Sequence, residues 1–215
     1  MSVDALQIDT GPKPEAAIIW LHGLGADGHD FEPIVPELAL PPGLQLRFVF
    51  PHAPVRPVTL NQGMRMRAWY DILQLGGGTE DEAGLRASQQ LTEELIREQG
   101  LPANRIVLAG FSQGGAIALL TGLRHPERLA GVMALSSYLP IAGKLAAERS
   151  DANRDVPIFM AHGSYDDLIP MGRAQASREA LKALGYPVEW HDYPMPHSVC
   201  APEIADISAF LSKII

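Results

Sequence analysis

Six short β-rich runs punctuate the chain, at 16–21, 46–50, 106–109, 131–135, 156–160 and 188–193. Two of them, Ile18-Ile19-Trp20-Leu21 and Ile106-Val107-Leu108, are apolar at every position. Alternation would leave one face wet, so unbroken runs predict strands covered on both faces. Segments of helical character at 81–99, 114–124, 172–184 and 202–213 separate the runs; the first sets Leu91, Leu95 and Ile96 apart from Glu93, Glu94 and Arg97. Strands alternating with helices predict one doubly wound, mostly parallel sheet with helices on both faces. The stretch at about 51–79 breaks the rhythm. It is rich in Pro, Gly and Met, and Met64, Met66, Trp69 and Tyr70 argue for an ordered, functional loop.

At 215 residues, with no repeat and no linker, the whole of 1–215 is expected to form one domain. The 17 basic residues do not cluster against 25 acidic ones, and the net charge of -8 disfavours nucleic acid and anionic membrane as partners. The one cysteine, Cys200, excludes an internal disulfide and a CxxC metal site. The residues after Met1 lack the basic-then-apolar pattern of a signal peptide, and no apolar run is long enough to insert stably in a membrane. A cytoplasmic location is expected.

Chemistry enters at Gly110-Phe111-Ser112-Gln113-Gly114, a G-x-S-x-G pattern between a β-run and a helical segment. That strand–turn–helix setting is the one a nucleophile elbow requires, as in α/β-hydrolases. Glycines relieve the tight turn, and the helix start favours negative charge developing near Ser112. Trp20-Leu21-His22-Gly23-Leu24-Gly25 follows an earlier strand and suits an oxyanion loop, with Leu24 and Gln113 N–H as donors. Gly23-x-Gly25-x-x-Gly28 also fits a dinucleotide loop by letter, but no helix is predicted to open at Gly28. His22 reads as a structural hydrogen-bonder.

The order Ser, acid, His restricts the remaining roles. His22, His29 and His52 precede Ser112, and no acid candidate separates His125 from it. Asp166 or Asp167, in the loop after the 156–160 run, is the expected acid. His162 lies at that strand's edge and His191 within the next strand, which leaves His197 as the general base. Cys200 lacks an elbow and reads as packing.

Together these motifs resemble the bacterial carboxylesterase branch of the phospholipase/carboxylesterase family, whose eukaryotic relatives include the acyl-protein thioesterases. The resemblance also rests on Phe50-Pro51-His52-Ala53-Pro54, Met66-Arg67-Ala68-Trp69-Tyr70-Asp71-Ile72, Leu135-Ser136-Ser137-Tyr138-Leu139-Pro140 and His162-Gly163-x-x-Asp166. It implies an α/β-hydrolase fold and a triad of Ser112, Asp166 and His197, with Asp166 chosen over Asp167, which stands where the family commonly has Pro. It also supports Leu24 and Gln113 as oxyanion donors.

The expected activity is serine carboxylesterase action on short to medium acyl esters, with acyl-protein thioesterase or lysophospholipase activity as the alternative. A non-catalytic binding module and a dienelactone-hydrolase-like enzyme are the competing classes; the latter carries Cys in the elbow, whereas residue 112 is Ser. Met64, Trp69, Leu73, Tyr138 and Met195 are the expected substrate-binding residues, since methionines repack around loosely specified acyl chains. No metal or cofactor is implied. An exposed acyl groove would also allow a weak homodimer.

Overall fold

The computed structural model describes residues 3–74 and 78–215. Residues 1–2, at the N-terminus, and 75–77, within the long loop, lie outside the described residues. Seven strands form one sheet in the order β1-β3-β2-β6-β7-β8-β9. They are β1 (Ala5–Asp9), β2 (Ala16–Leu21), β3 (Leu46–Pro51), β6 (Ile106–Phe111), β7 (Gly131–Leu135), β8 (Ile158–Gly163) and β9 (Val188–Tyr193). All pair in parallel except β1, which runs antiparallel along β3 at the edge. A separate two-stranded hairpin, β4 (Val55–Val58) with β5 (Met64–Arg67), occupies part of the long loop.

The helices are α1 (Glu82–Glu98), α2 (Gln113–Gly122), α3 (Ala142–Glu148), α4 (Met171–Ala183) and α5 (Ala201–Ile214). Asp81 caps α1 by accepting the Gly84 N–H at 2.9 Å. Strand β2 shows why an unbroken apolar run suits the centre of the sheet. Ala17, Ile19 and Leu21 pack into the cluster formed with α1, α2 and α4, while Ala16, Ile18 and Trp20 join the cluster with α5. The period-two alternation thus feeds two cores.

All six expected strands and four expected helices are present, with bounds shifted by a few residues. Strand β8 starts two residues later than expected and continues to Gly163, so His162 lies inside it. Strand β1, the hairpin and α3 have no counterpart among the predicted elements. Val55-Arg56-Pro57-Val58 carries a Pro inside the strand, and Met64-Arg65-Met66-Arg67 alternates over four residues only, too short a run to stand out within the irregular loop.

The chain runs from β2 outward to β3, then crosses back to place β6 on the other side of β2. This is the topological switch point, outside whose carboxyl ends open α/β sheets form their ligand crevices. Leu21, the last residue of β2, pairs with Gly110 near the end of β6. Two motifs about 90 residues apart in sequence thereby emerge side by side.

Candidate active site

The turn from β6 into α2 puts Ser112 at φ 55°, ψ −118°, a region that non-glycine residues adopt only under constraint. The constraint is visible around it. Ser112 N–H donates to Leu135 O at 2.9 Å, and Ser137 Oγ donates to Ser112 O at 2.7 Å. A Cβ on Gly114 would lie 2.0 Å from Leu21 O, so only glycine lets α2 start this close to β2.

The loop after β2 is held from beneath. His22 Nδ1–H donates to Gly23 O at 2.7 Å, while Nε2 accepts Ala53 N–H at 3.0 Å. Burial pulls the His22 pKa below its ordinary value, so the ring stays neutral and does the structural work expected of it. The loop leaves Gly23 and Leu24 on a cavity wall with Ser112 and Gln113. The Leu24 and Gln113 N–H groups have no hydrogen-bond partner among the described residues. Gly28, the third glycine of the dinucleotide-like pattern, serves packing instead: a Cβ there would meet Phe50 O at 2.3 Å, and no α-helix follows.

Asp166 is buried after β8, and its Oδ1 accepts the N–H groups of Leu168 at 2.9 Å and Ile169 at 2.8 Å. Its Oδ2 accepts the His197 Nδ1–H at 2.6 Å, which leaves the His197 Nε2 lone pair free. Asp167, the other acid candidate, is exposed. The loops that carry Asp166 and His197 are stitched together by Ser164 N–H to Tyr193 O at 2.8 Å and Tyr165 N–H to Met195 O at 3.1 Å. They approach so closely that a Cβ on Gly163 would come 2.4 Å from Met195 O. The Phe111 ring packs on His197 at 4.7 Å between centroids, and Ser112 and His197 open on the same cavity. No direct hydrogen bond joins them in this state, and contacts of this kind commonly tighten when substrate binds.

The other histidines are engaged elsewhere. His162 is fully buried and donates from Nε2 to Ile169 O at 2.8 Å; His125 meets Glu93 at 2.6 Å; His191 sits between Glu189 and Asp206. Cys200 is the residue before α5 and packs at the edge of its cluster.

The cavity measures about 360 Å³. Leu73 and Tyr138 line it, as expected of substrate-binding residues, together with Leu60, Ile72, Leu168 and Ile169. Three expected wall residues do not line it. Met64 is 66% exposed on the hairpin, pointing into solvent. Met195 is buried in the α5 cluster, where its carbonyl steadies the acid loop. Trp69 is wholly buried: its indole N–H donates to His22 O at 2.9 Å and its backbone N–H to Gln113 Oε1 at 3.0 Å. A ring that large, pinned by both ends of the site, acts as a brace beneath the cavity. Tyr70, Leu168, Ile169 and Arg173 line the cavity but were not among the expected site residues. An apolar pair just after the two aspartates, Leu168-Ile169, is the available signal; nothing in the pattern of α4 points to Arg173.

Comparison with known proteins gives one answer. The phospholipase/carboxylesterase family model matches residues 5–215. Acyl-protein thioesterase 1 of Mycosarcoma maydis is 44% identical over 225 residues, covering 96% of this chain and 94% of that protein. Acyl-protein thioesterase 1 of Gibberella zeae is 41% identical over 211 residues, covering 92% and 90%. Among solved structures, Arabidopsis thaliana SOBER1 superposes with a TM-score of 0.87 at 29% identity, covering 92% of this chain and 98% of that one. Zea mays acyl-protein thioesterase 2 gives 0.86 at 28% identity, covering 98% of each chain. The chain belongs to the phospholipase/carboxylesterase family and is a serine hydrolase of α/β-hydrolase fold.

Proposed function

We propose that the chain removes short to medium acyl groups from carboxylic esters and S-acyl thioesters through an acyl-enzyme on Ser112. The observation that carries this reading is the Asp166–His197 pair, 2.6 Å apart, opening with Ser112 on one cavity walled largely by apolar side chains. In this scheme His197 Nε2 takes the Ser112 proton as Oγ attacks the acyl carbonyl. Asp166 holds the imidazolium that forms. The tetrahedral oxyanion is met by the Leu24 and Gln113 N–H groups, and loss of one such donor typically costs about 2.7–4 kcal/mol.

Collapse breaks the bond to the leaving oxygen or sulfur, which takes the proton from His197. Water then attacks the acyl-enzyme, giving its proton to His197, and the second collapse releases the carboxylic acid and restores the Ser112 hydroxyl.

Thioesters enter beside esters because the relatives named acyl-protein thioesterase 1 share 44% and 41% identity over nearly the full chain. A cavity of about 360 Å³ lies at the small end of ordinary ligand sites, roughly 300–1,000 Å³, and suits short to medium chains over long ones.

The test is labelling with an alkyl fluorophosphonate and mapping the modified peptide, beside turnover of p-nitrophenyl esters, an S-acyl cysteine peptide and a lysophospholipid. Label on Ser112 is expected, with Ser112→Ala lowering kcat at least about 10⁴-fold. A folded protein that neither labels nor turns over any of the three would overturn the proposal and favour a binding module.

A further inference from the structure

Tyr70 and Tyr138 line the cavity with Ser112, yet acyl transfer gives them no task. Their hydroxyls lie 2.8 Å apart, and the residues are 3% and 8% exposed. Burial pushes the Tyr70 phenol well above its ordinary range and raises that of Tyr138, so both keep their protons at working pH. Two hydroxyls joined by one hydrogen bond hold one proton between them. The second must point elsewhere, whichever phenol donates.

Among the described residues neither hydroxyl forms a hydrogen bond to a carbonyl or carboxylate; the charged groups near the pair are Arg173, whose guanidinium lies 3.3 Å from the Tyr138 ring centre and can only donate, and Glu80. A buried donor left without an acceptor costs about 1–3 kcal/mol, and the open space beside the pair is the cavity. Arg173 is itself loosely held, with Glu80 at 3.8 Å, and Glu80 also accepts the Ile141 N–H at 2.8 Å. Asp71 and Asp81 line the same cavity, fixed by the Thr59 N–H at 2.7 Å and the Gly84 N–H at 2.9 Å respectively. With Asp30, four carboxylates share this cavity with one guanidinium, which makes it a poor place for a further anion and a serviceable one for a neutral oxygen.

We infer that the tyrosine pair forms a subsite for a neutral hydrogen-bond acceptor within the acyl group, so that the enzyme selects chains bearing an oxo or hydroxy oxygen over plain ones. This rests on Ser112 as the acyl-accepting group and names the substrate class of that site.

The experiment compares p-nitrophenyl octanoate with a series of oxo-octanoates, the carbonyl moved along the chain from the fourth carbon to the seventh, and with the ω-carboxy analogue. Wild type is set beside Tyr70→Phe/Tyr138→Phe, which replaces both partners by apolar groups of nearly the same shape and is tolerated better than removing one. Tyr138→Phe alone serves if the double variant folds poorly. At one oxo position wild type should prefer the oxo ester about tenfold in kcat/KM, and the preference should fall to about one in the variant. The ratio is taken within each enzyme, so a general loss of activity cancels.

The ω-carboxy ester should be the slowest of the set. An equal preference in wild type and variant, no preference at any position, or faster turnover of the ω-carboxy ester overturns the inference. In those cases octanoate turnover with label on Ser112 shows that the acyl-transfer reading stands. No turnover of any ester by the folded enzyme overturns both.

Discussion

The elbow around Ser112 and the wall segment from Pro51 to Gln74 stand on one cavity but are built by opposite rules. In the elbow almost nothing can move. Ser112 is held at φ 55°, and Cβ atoms on Gly110 and Gly114 would meet backbone at 2.2 and 2.0 Å. The wall carries a hairpin with Val55 and Met64 half or more exposed, and the segment is held mainly around Trp69–Asp71. One of those pins is the Gln113 side chain, which accepts the Trp69 N–H at 3.0 Å and donates to Tyr70 O at 2.8 Å. Bond formation demands that reacting atoms stay within a fraction of an ångström, whereas apolar chains are recognised by area and tolerate slack. Gln113 couples the two regimes, because it opens α2 directly after Ser112 and its side chain reaches the wall.

Substitutions should separate these regimes. The largest effect is expected for Gly114→Ala, whose new methyl meets the Leu21 carbonyl. It should cost more than about 3 kcal/mol in urea unfolding and reduce fluorophosphonate labelling sharply. Unchanged stability would show that the elbow has more freedom than its contacts imply. Gln113→Ala keeps the backbone donor but strands the Trp69 N–H and the Tyr70 carbonyl, at a cost of about 3 kcal/mol. Steady-state kinetics should show KM rising more than kcat falls. The reverse split would mean that the pin serves the proposed oxyanion donors instead of the wall.

The start of α5, just beyond the base, extends the comparison to a group packed without partners. Glu203 is fully buried, and neither carboxylate oxygen has a hydrogen-bond partner of normal geometry among the described residues. Burial pushes its pKa up to about 8 from 4.5. Between those values the folded chain holds a proton that the unfolded chain has released. Glu203 therefore favours the folded state below pH 4.5, and that contribution drains away as pH rises to 8. Glu203→Gln should flatten this slope, removing a wild-type stability loss of roughly 3–4 kcal/mol between pH 5 and 8, read from melts at those two pH values. Equal slopes would place the carboxyl in water. The smallest effect is expected for Met64→Ala, within about 0.5 kcal/mol in stability and twofold in kcat/KM for octanoate esters.

Local pattern reached further for the chemistry than for the wall. Ser112 and Asp166 follow the apolar strands β6 and β8, and His197 follows the mixed strand β9, so chain order and strand ends point to them. Choosing Asp166 over Asp167 took more than spacing, since adjacent loop residues differ only in which one the backbone turns inward. Trp69 and Met195 show the limit for the wall. Large apolar residues near a site read alike whether they face the ligand or the core, and here both went to the core.

The sequence by itself determined the parallel sheet, the elbow and the order of its chemical groups, because each depends on side-chain period and steric demands within a few residues. Only the tertiary structure decided which apolar residues face the cavity, that Tyr70 and Tyr138 meet hydroxyl to hydroxyl, and that the Asp166 and His197 loops are sewn together at Gly163. Those contacts join residues tens of positions apart. Their partners follow from sheet order and crossover direction, for which no local window of sequence carries a signal.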